Sequence, residues 1–561
     1  MDKRAIIAII LSMGVILIWQ LIFAPQPQKQ PVVQKERMER GVVEDREKER
    51  LAEQVPAYEE EEREIEDVVI ETPLYRAVFT TAGGRLKSWT LKKYMNRVDT
   101  IVLWRRKQEP PPEPVQMVTV RDLESLPLET EIRGRGSQEG EILFDVDTNQ
   151  LFIEEGRQGS VLFVGKTEEG LDVVKRYRFY GGEYRVDLDV EIINQSDVSV
   201  EPELNITWYG IVKGGSRYTF AGPSVLSGNR VARLKGKEIT KGTIFTEDIK
   251  WIASENNLDS EGNYFVSLLA PRQREGLKAE VRERKVSQGE GMGFANRIAF
   301  PPIEVRPGSD ERYSFLLYIG PKRPERLKSL DVEAEKAINF GKYLGGIERV
   351  LLWILEFTHG LTGNYGVDII ILSILLKIVF WPLSRKSYKS MQEMQKIQPE
   401  MKMLQEKYKD DRQRLNQEMM ALYKRRKVNP VGGCLPMLVQ FPFLIALYKA
   451  LPLAFNLRHA PFLLWLQDLS AADSFFVDEL TLPLLGNTPV GPLPLLMGAS
   501  MLLQQRMSPT MGDPRQARMM MFMPIMFIFI FLSFPSGLVL YWFVQNILSI
   551  GEQYYTKRKS R

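Results

Sequence analysis

The sequence predicts a multi-span α-helical membrane protein. It has six spans, five of them forming one core, together with an all-β sandwich domain and a basic helical hairpin. Three observations lead there. The mean hydropathy of −0.20 looks soluble, yet it averages a charged amino-terminal half with an apolar carboxy-terminal half. Residues 73–331 alternate polar and apolar positions in short runs, the period of strands with one buried face. Residues 366–555 hold long apolar runs whose connecting segments carry charges mostly of one sign.

Lys3 and Arg4 precede an apolar stretch over 5–24. A cleavable signal has an apolar core of about 7–15 residues and a small-x-small cleavage site. This run is longer, and bulky Ile22 stands two before Ala24, so 1–24 is expected to be an uncleaved anchor with its basic end in the cytoplasm. Residues 25–72 are rich in Pro, Gln, Glu, Arg and Lys, with few large apolar side chains, and read as a charged flexible linker. In "YRFYGGEYRVDLDVEIIN", Val186, Leu188, Val190 and Ile192 alternate with Asp187, Asp189 and Glu191, the pattern of a half-buried strand. Similar runs with glycine-rich punctuation over 73–331 predict an all-β domain on the far side of the membrane from the amino terminus. "SVLFVGKT" imitates a phosphate-binding loop, but Ser160 replaces the first glycine and the intervening residues are strand-like.

Residues 332–365 switch to helical spacing. Ile338, Tyr343, Ile347, Leu351, Ile354 and Leu355 are expected on one face, with Glu335, Lys342 and Glu348 elsewhere, as an amphipathic helix on the membrane surface. Core spans follow over about 366–384, 433–455, 491–507, 518–533 and 537–555, the last two divided by "FPSG". Basic flanks then place the segment 385–430 and the tail 556–561 in the cytoplasm and the acidic loop 456–490 outside. From 385 to 427 there are 13 Lys and Arg against 6 Asp and Glu. Met391, Met394, Ile397, Met401, Leu404 and Tyr408, then Leu415, Met419 and Leu422, predict two antiparallel helices turning near Asp410 and Asp411. Pro399 either opens a new helix or kinks a longer one. The hairpin is either a plain positive-inside loop or a docking arm, with Arg412, Arg414, Lys424, Arg425 and Arg426 as its basic surface.

The overall charge of +4 gives no global basic excess of the kind nucleic-acid binding needs. The only cysteine, Cys434, precludes an intrachain disulfide framework, and His359 and His459 lack ligand-spaced company, so no metal or cofactor is expected.

Lys377, inside "GVDIIILSILLKIVFWPLSR", is the chief functional candidate. A charge at the bilayer centre costs about 2.5–3.5 kcal/mol on insertion scales. Side chains tilt toward the helix amino end, and the outer border at Gly366 lies about 16 Å away in that direction at about 1.5 Å per residue. The inner border is nearer but lies against the tilt. Snorkelling is therefore awkward, and a watery cavity inside the bundle suits the charge better. Ser373, one turn before Lys377, together with Gln440, Gln504, Tyr541, Trp542, Gln545 and Asn546, is expected to line it. For the amides, helix–helix hydrogen bonding is the alternative. For Tyr541 and Trp542 it is an interfacial aromatic belt.

"NQEMMALYKRRKVNPVGGCLPMLVQFPF", "HAPFLLWLQDLSAAD" and "FPSGLVLYWFVQN" closely resemble the YidC membrane-protein insertases, relatives of mitochondrial Oxa and chloroplast Albino proteins. The front half looks like the bacterial form with a large periplasmic β-supersandwich. The resemblance implies five spans around a hydrophilic groove, open to the cytoplasm and sideways to lipid. A nascent hydrophobic segment enters it and slides into the bilayer without nucleotide consumption. It also implies a non-enzymatic role in the bacterial inner membrane. The implied partners are nascent membrane-protein chains, Sec translocon components, anionic lipids and, through the hairpin and tail, the ribosome and the signal-recognition receptor. The family has a basic residue, usually arginine, where Lys377 stands, and often tyrosine where Trp542 stands. Lysine keeps the charge but loses the planar two-point fork. The alternatives are a small-solute transporter or channel, which would show internal repeats, and an enzyme built on the β domain. Neither a convincing repeat nor an acid–base constellation is evident in the sequence.

Overall fold

The computed structural model describes residues 64–105, 111–120, 122–133, 142–212, 220–256, 264–285, 291–341, 344–409, 411–426, 428, 435–482, 486–507 and 514–559. The expected anchor over 1–24, most of the linker, Tyr343 and Cys434 lie outside those residues.

The alternating runs form three sheets, one of nine strands and two of five. At the centre of the large sheet, Arg185–Ile193 pairs antiparallel with Asp310–Pro321 on one side and Asp172–Tyr180 on the other. Its odd-numbered side chains are half-exposed, while Val186, Leu188, Val190 and Ile192 are completely buried. Each such burial contributes about 1.5–3 kcal/mol. One five-stranded sheet packs on this layer through Phe79 against Phe163 and Tyr177, with Trp89 stacked on Tyr75 at 3.9 Å. The other packs through Asn296, whose amide donates to the carbonyls of Ser224 and Ala253. All of the phosphate-loop imitation but Thr167 falls inside the strand Gln158–Lys166, where its backbone groups pair with Asp172–Tyr180 and are spent on the sheet.

The β domain is larger at both ends than the sequence pattern suggests. Asp67–Glu71, assigned to the linker by composition, is a strand whose Val68 and Ile70 are completely buried, so the domain opens before residue 73. At the other end, Val332, Ala334, Ala337 and Ile338 belong to the β-domain core, and the amphipathic helix begins only at Gly345. Ile338 is therefore not on the helix face proposed for it. Arg233 fastens this segment by donating from Nη2 to the carbonyls of Lys336 (3.1 Å) and Ala337 (2.9 Å).

Helix α1 spans Gly345–Thr362 and stops where Gly363 takes a left-handed φ of 65°, which glycine adopts without a Cβ penalty. Leu351 and Leu355 are buried, whereas Val350, Trp353, Phe357 and Leu361 form an exposed apolar stripe. Glu348, expected on the polar side, is completely buried, and its Oε2 accepts the Gly341 N–H at 2.8 Å. The expected polarity of α1 is thus corrected: tertiary packing covers its acidic position and leaves an apolar stripe open.

Helix α2 (Tyr365–Lys396) runs unbroken beyond the expected span end, and it is the one described helix long and apolar enough to cross a membrane. Asn364 caps it, accepting from the N–H groups of Gly366 and Val367. Two shorter helices follow, α3 (Gln398–Lys407) and α4 (Arg412–Arg426), with Pro399 in the first turn of α3, where its missing N–H costs nothing. Ile397, Met401, Leu422 and Val428 bury one another there, and Glu400 pairs with Arg426. The apolar runs that remain form α5 (Leu435–Ala450), α6 (Pro492–Met507), α7 (Pro514–Phe531) and α8 (Ser536–Lys559). The break between α7 and α8 falls at "FPSG", as expected from its proline and glycine.

Candidate functional site

Helices α2 and α8 meet along a polar seam. Ser373 and Lys377 lie one turn apart on α2, and Gln545, Ser549 and Glu552 occupy successive turns of one α8 face, so each pair of levels can bond across the contact. At the first level, the Gln545 amide donates to the Ser373 carbonyl at 2.9 Å. At the second, Lys377 Nζ donates to Ser549 Oγ at 2.9 Å and lies 2.8 Å from Glu552 Oε2. Both levels ascend in residue number on both helices, so α2 and α8 run in the same direction. Gln553 Nε2 donates to Tyr388 Oη at 3.4 Å just beyond the ion pair.

The other candidate residues are placed nearby by the same helices. Ser373 is completely buried, and its hydroxyl donates back to the Ile369 carbonyl at 2.7 Å. Gln440 on α5 reaches the Tyr541 hydroxyl at 3.5 Å. Asn546 donates to Ser500 Oγ on α6 at 3.0 Å. Trp542 stacks on Phe527 and leans on Phe531, both from α7, and its buried indole N–H has no acceptor among the described residues. Gln504 is half-buried on α6. Arg414, Lys424, Arg425 and Arg426 are exposed on α4, and the side chain of Arg412 lies outside the description. The seam therefore joins Ser373 to Gln545, a separate contact between α5 and α8 joins Gln440 to Tyr541, and the α4 cluster stands apart from both.

Two residues of the seam escaped the sequence reading, Ser549 and Glu552. Glu552 sits just past the apolar run in "LSIGEQYY", where it resembles an ordinary end-of-helix charge. The usable signal was its spacing, since Gln545, Ser549 and Glu552 at i, i+4 and i+7 mark a polar stripe on an otherwise apolar helix.

The two histidines each face a carboxylate. His359 Nδ1 lies 2.9 Å from Asp368 Oδ2 and its ring stacks on Tyr365. His459, in the loop before α6, lies 3.9 Å from Asp468, and burial, reinforced by Arg458, pushes its pKa down to about 4, so the ring is neutral at pH 7. Among the described residues no three His, Cys, Asp or Glu converge as metal ligands. A cavity of about 710 Å³ lies elsewhere, between Asn96–Arg105 of the β domain and the loop carrying His459 and Asp468.

Fold and seam together define a class: a helical membrane protein with a charge pair between two of its helices and a large β-rich domain. Comparisons narrow it. A family model described as "60Kd inner membrane protein" matches residues 357–561, and one described as "YidC periplasmic domain" matches residues 67–354. The membrane protein insertase YidC of Pelobacter propionicus is 38% identical and covers 100% of this chain and 99% of its own length. That of Syntrophus aciditrophicus is 36% identical, with 100% of each chain covered. A crystal structure of an active YidC insertase with its first transmembrane domain resolved aligns over 88% of this chain and 93% of its own, at 18% identity and a TM-score of 0.38. The chain belongs to the YidC family of membrane protein insertases. With the family come a β-rich periplasmic domain, a helical carboxy-terminal part and a place in the bacterial inner membrane.

Proposed function

We propose that this protein is an insertase and folding chaperone for inner-membrane proteins, working without chemical catalysis. It takes hydrophobic segments of nascent chains into a hydrophilic groove and releases them sideways into lipid, alone or with the Sec translocon. The observation that carries the reading is Lys377, a charge inside the long apolar helix α2. Such residues are expensive in a bilayer and are functional by default. Its ammonium turns to partners on α8 and does not reach toward either end of α2, which favours an interior polar path over snorkelling.

On this reading the six spans are the anchor 1–24 and the five core spans, both termini are cytoplasmic, and residues 25–365 lie in the periplasm or at the outer membrane face. The shared direction of α2 and α8 fits that topology, because both would descend from outside to inside. The groove is walled by Lys377, Ser373, Gln440, Gln504, Tyr541, Trp542, Gln545 and Asn546. Helices α3 and α4 form the cytoplasmic hairpin, whose Arg412, Arg414, Lys424, Arg425 and Arg426 offer a basic surface to the ribosome, the signal-recognition receptor or anionic lipid. The exposed stripe of Val350, Trp353, Phe357 and Leu361 suits α1 to lying in the outer membrane interface.

The test is reconstitution of the purified chain in liposomes with small one- and two-span substrates. Insertion is expected with the wild type, reduced insertion with Lys377→Met, and retention with Lys377→Arg. Failure of the wild type to insert either substrate would sink the reading, and saturable flux of a small solute would favour a transporter.

A further inference from the structure

Glu552 is more than a structural partner of Lys377. Another buried glutamate in the chain shows what a permanent arrangement looks like. Glu255, in the β domain, has both carboxylate oxygens occupied: Arg233 Nε donates to Oε1 at 3.0 Å and Lys322 Nζ to Oε2 at 2.5 Å. Glu552 is almost as buried, with its side chain 2% exposed, yet among the described residues its one ion-pair partner is Lys377. The 2.8 Å approach lacks hydrogen-bond alignment, and among the described residues neither carboxylate oxygen accepts a hydrogen bond. A buried carboxylate left in that condition is held weakly for its cost of desolvation. Lys377 is differently placed. Its side chain is 12% exposed, so it is the accessible member of the pair, and it keeps the Ser549 hydroxyl as a second partner if the carboxylate leaves.

We propose that Glu552 is the resting counter-ion of Lys377 and a specificity-determining residue, one that a carboxylate on an incoming polypeptide segment replaces. The inference rests on the insertase reading above. While Glu552 is in place, an approaching segment meets a neutral pair and not a bare cation. A segment bearing an aspartate or glutamate can exchange with Glu552 and recover the charge interaction. A neutral polar segment cannot. The exchange breaks one ion pair and forms another, with no covalent step.

The experiment uses the full-length chain in liposomes and two single-span substrates that differ only by Asp or Asn in a short translocated tail. Glu552→Gln removes the competing charge while retaining size and polarity. It is expected to raise the Asp-to-Asn insertion ratio roughly three- to tenfold, the scale of one ordinary net hydrogen bond. Glu552→Asp, which keeps the charge, is expected to hold the wild-type Asp-to-Asn ratio. The double variant Lys377→Gln with Glu552→Gln is expected to abolish any preference for Asp, and it provides a neutral pair should the single variant fold poorly. An unchanged ratio in Glu552→Gln, or persistence of the Asp preference in the double variant, would overturn the proposal while leaving the insertase reading intact. A wild type that inserts neither substrate overturns both.

Discussion

Replacing Glu255 by glutamine removes the charge at the centre of the β domain's buried network while conserving volume. Glu255 is fully buried, Lys322 is 6% exposed and Arg233 is 16% exposed, so the substitution leaves one ammonium deep in the protein and one guanidinium near its surface. Removing one partner of a buried pair costs about 3–5 kcal/mol, chiefly because the remaining charge is uncompensated. Arg233 retains the Lys336 and Ala337 carbonyls, which places the expectation near the lower end, at about 3 kcal/mol. In a domain of this size each kcal/mol moves Tm by about 2–4 °C, so a fall of about 6–12 °C follows. The assay is thermal unfolding of the detergent-solubilised full chain, followed by near-ultraviolet circular dichroism. Lys322→Met and the double variant complete the cycle, and the double variant should be less damaging than the sum of the singles. A fall of less than about 2 °C, or strict additivity, would refute the idea that these residues act as one buried electrostatic unit.

Three further outcomes are expected. Burial pushes the Glu255 carboxyl up, but Lys322 and Arg233 outweigh it and hold the group below its ordinary value of 4.5. Its stabilisation is therefore present above that value and lost as pH falls through the lower folded-state value, so acid melting curves should drop more steeply for the wild type than for Glu255→Gln. In Gly181→Ala the new Cβ would lie 1.9 Å from the backbone oxygen of Glu154, which cannot swing aside; a loss of at least about 2 kcal/mol is expected on denaturant unfolding of the β domain. A Cβ at Gly498 would lie 2.2 Å from Cγ1 of Ile528, where α6 meets α7; Gly498→Leu should lower the Tm of the solubilised chain by the equivalent of about 1–3 kcal/mol, and Gly498→Ala by less, since the isoleucine can change rotamer.

Periodicity made much of the architecture legible. The alternation of Val186, Leu188, Val190 and Ile192 dictates a strand because successive side chains must face opposite sides of a sheet. The apolar length around Lys377 dictates a long helix because an isolated backbone in lipid has to satisfy its own hydrogen bonds. "FPSG" separates α7 from α8 for equally local reasons. Boundaries were less legible. Val68 and Ile70 lie in a segment with a linker's composition, and Ile338 in one with a helix's spacing, yet all three complete the same β-domain core.

Local residue order thus determined which segments become strands or helices, and it singled out Lys377 as a charge out of place. Tertiary structure alone decided what that charge touches. Glu552 lies far along the chain from Lys377, and nothing in the neighbourhood of either residue specifies the other. The pair exists because α2 and α8 run side by side in one direction and bring their polar stripes into register, a long-range packing outcome that no local pattern encodes.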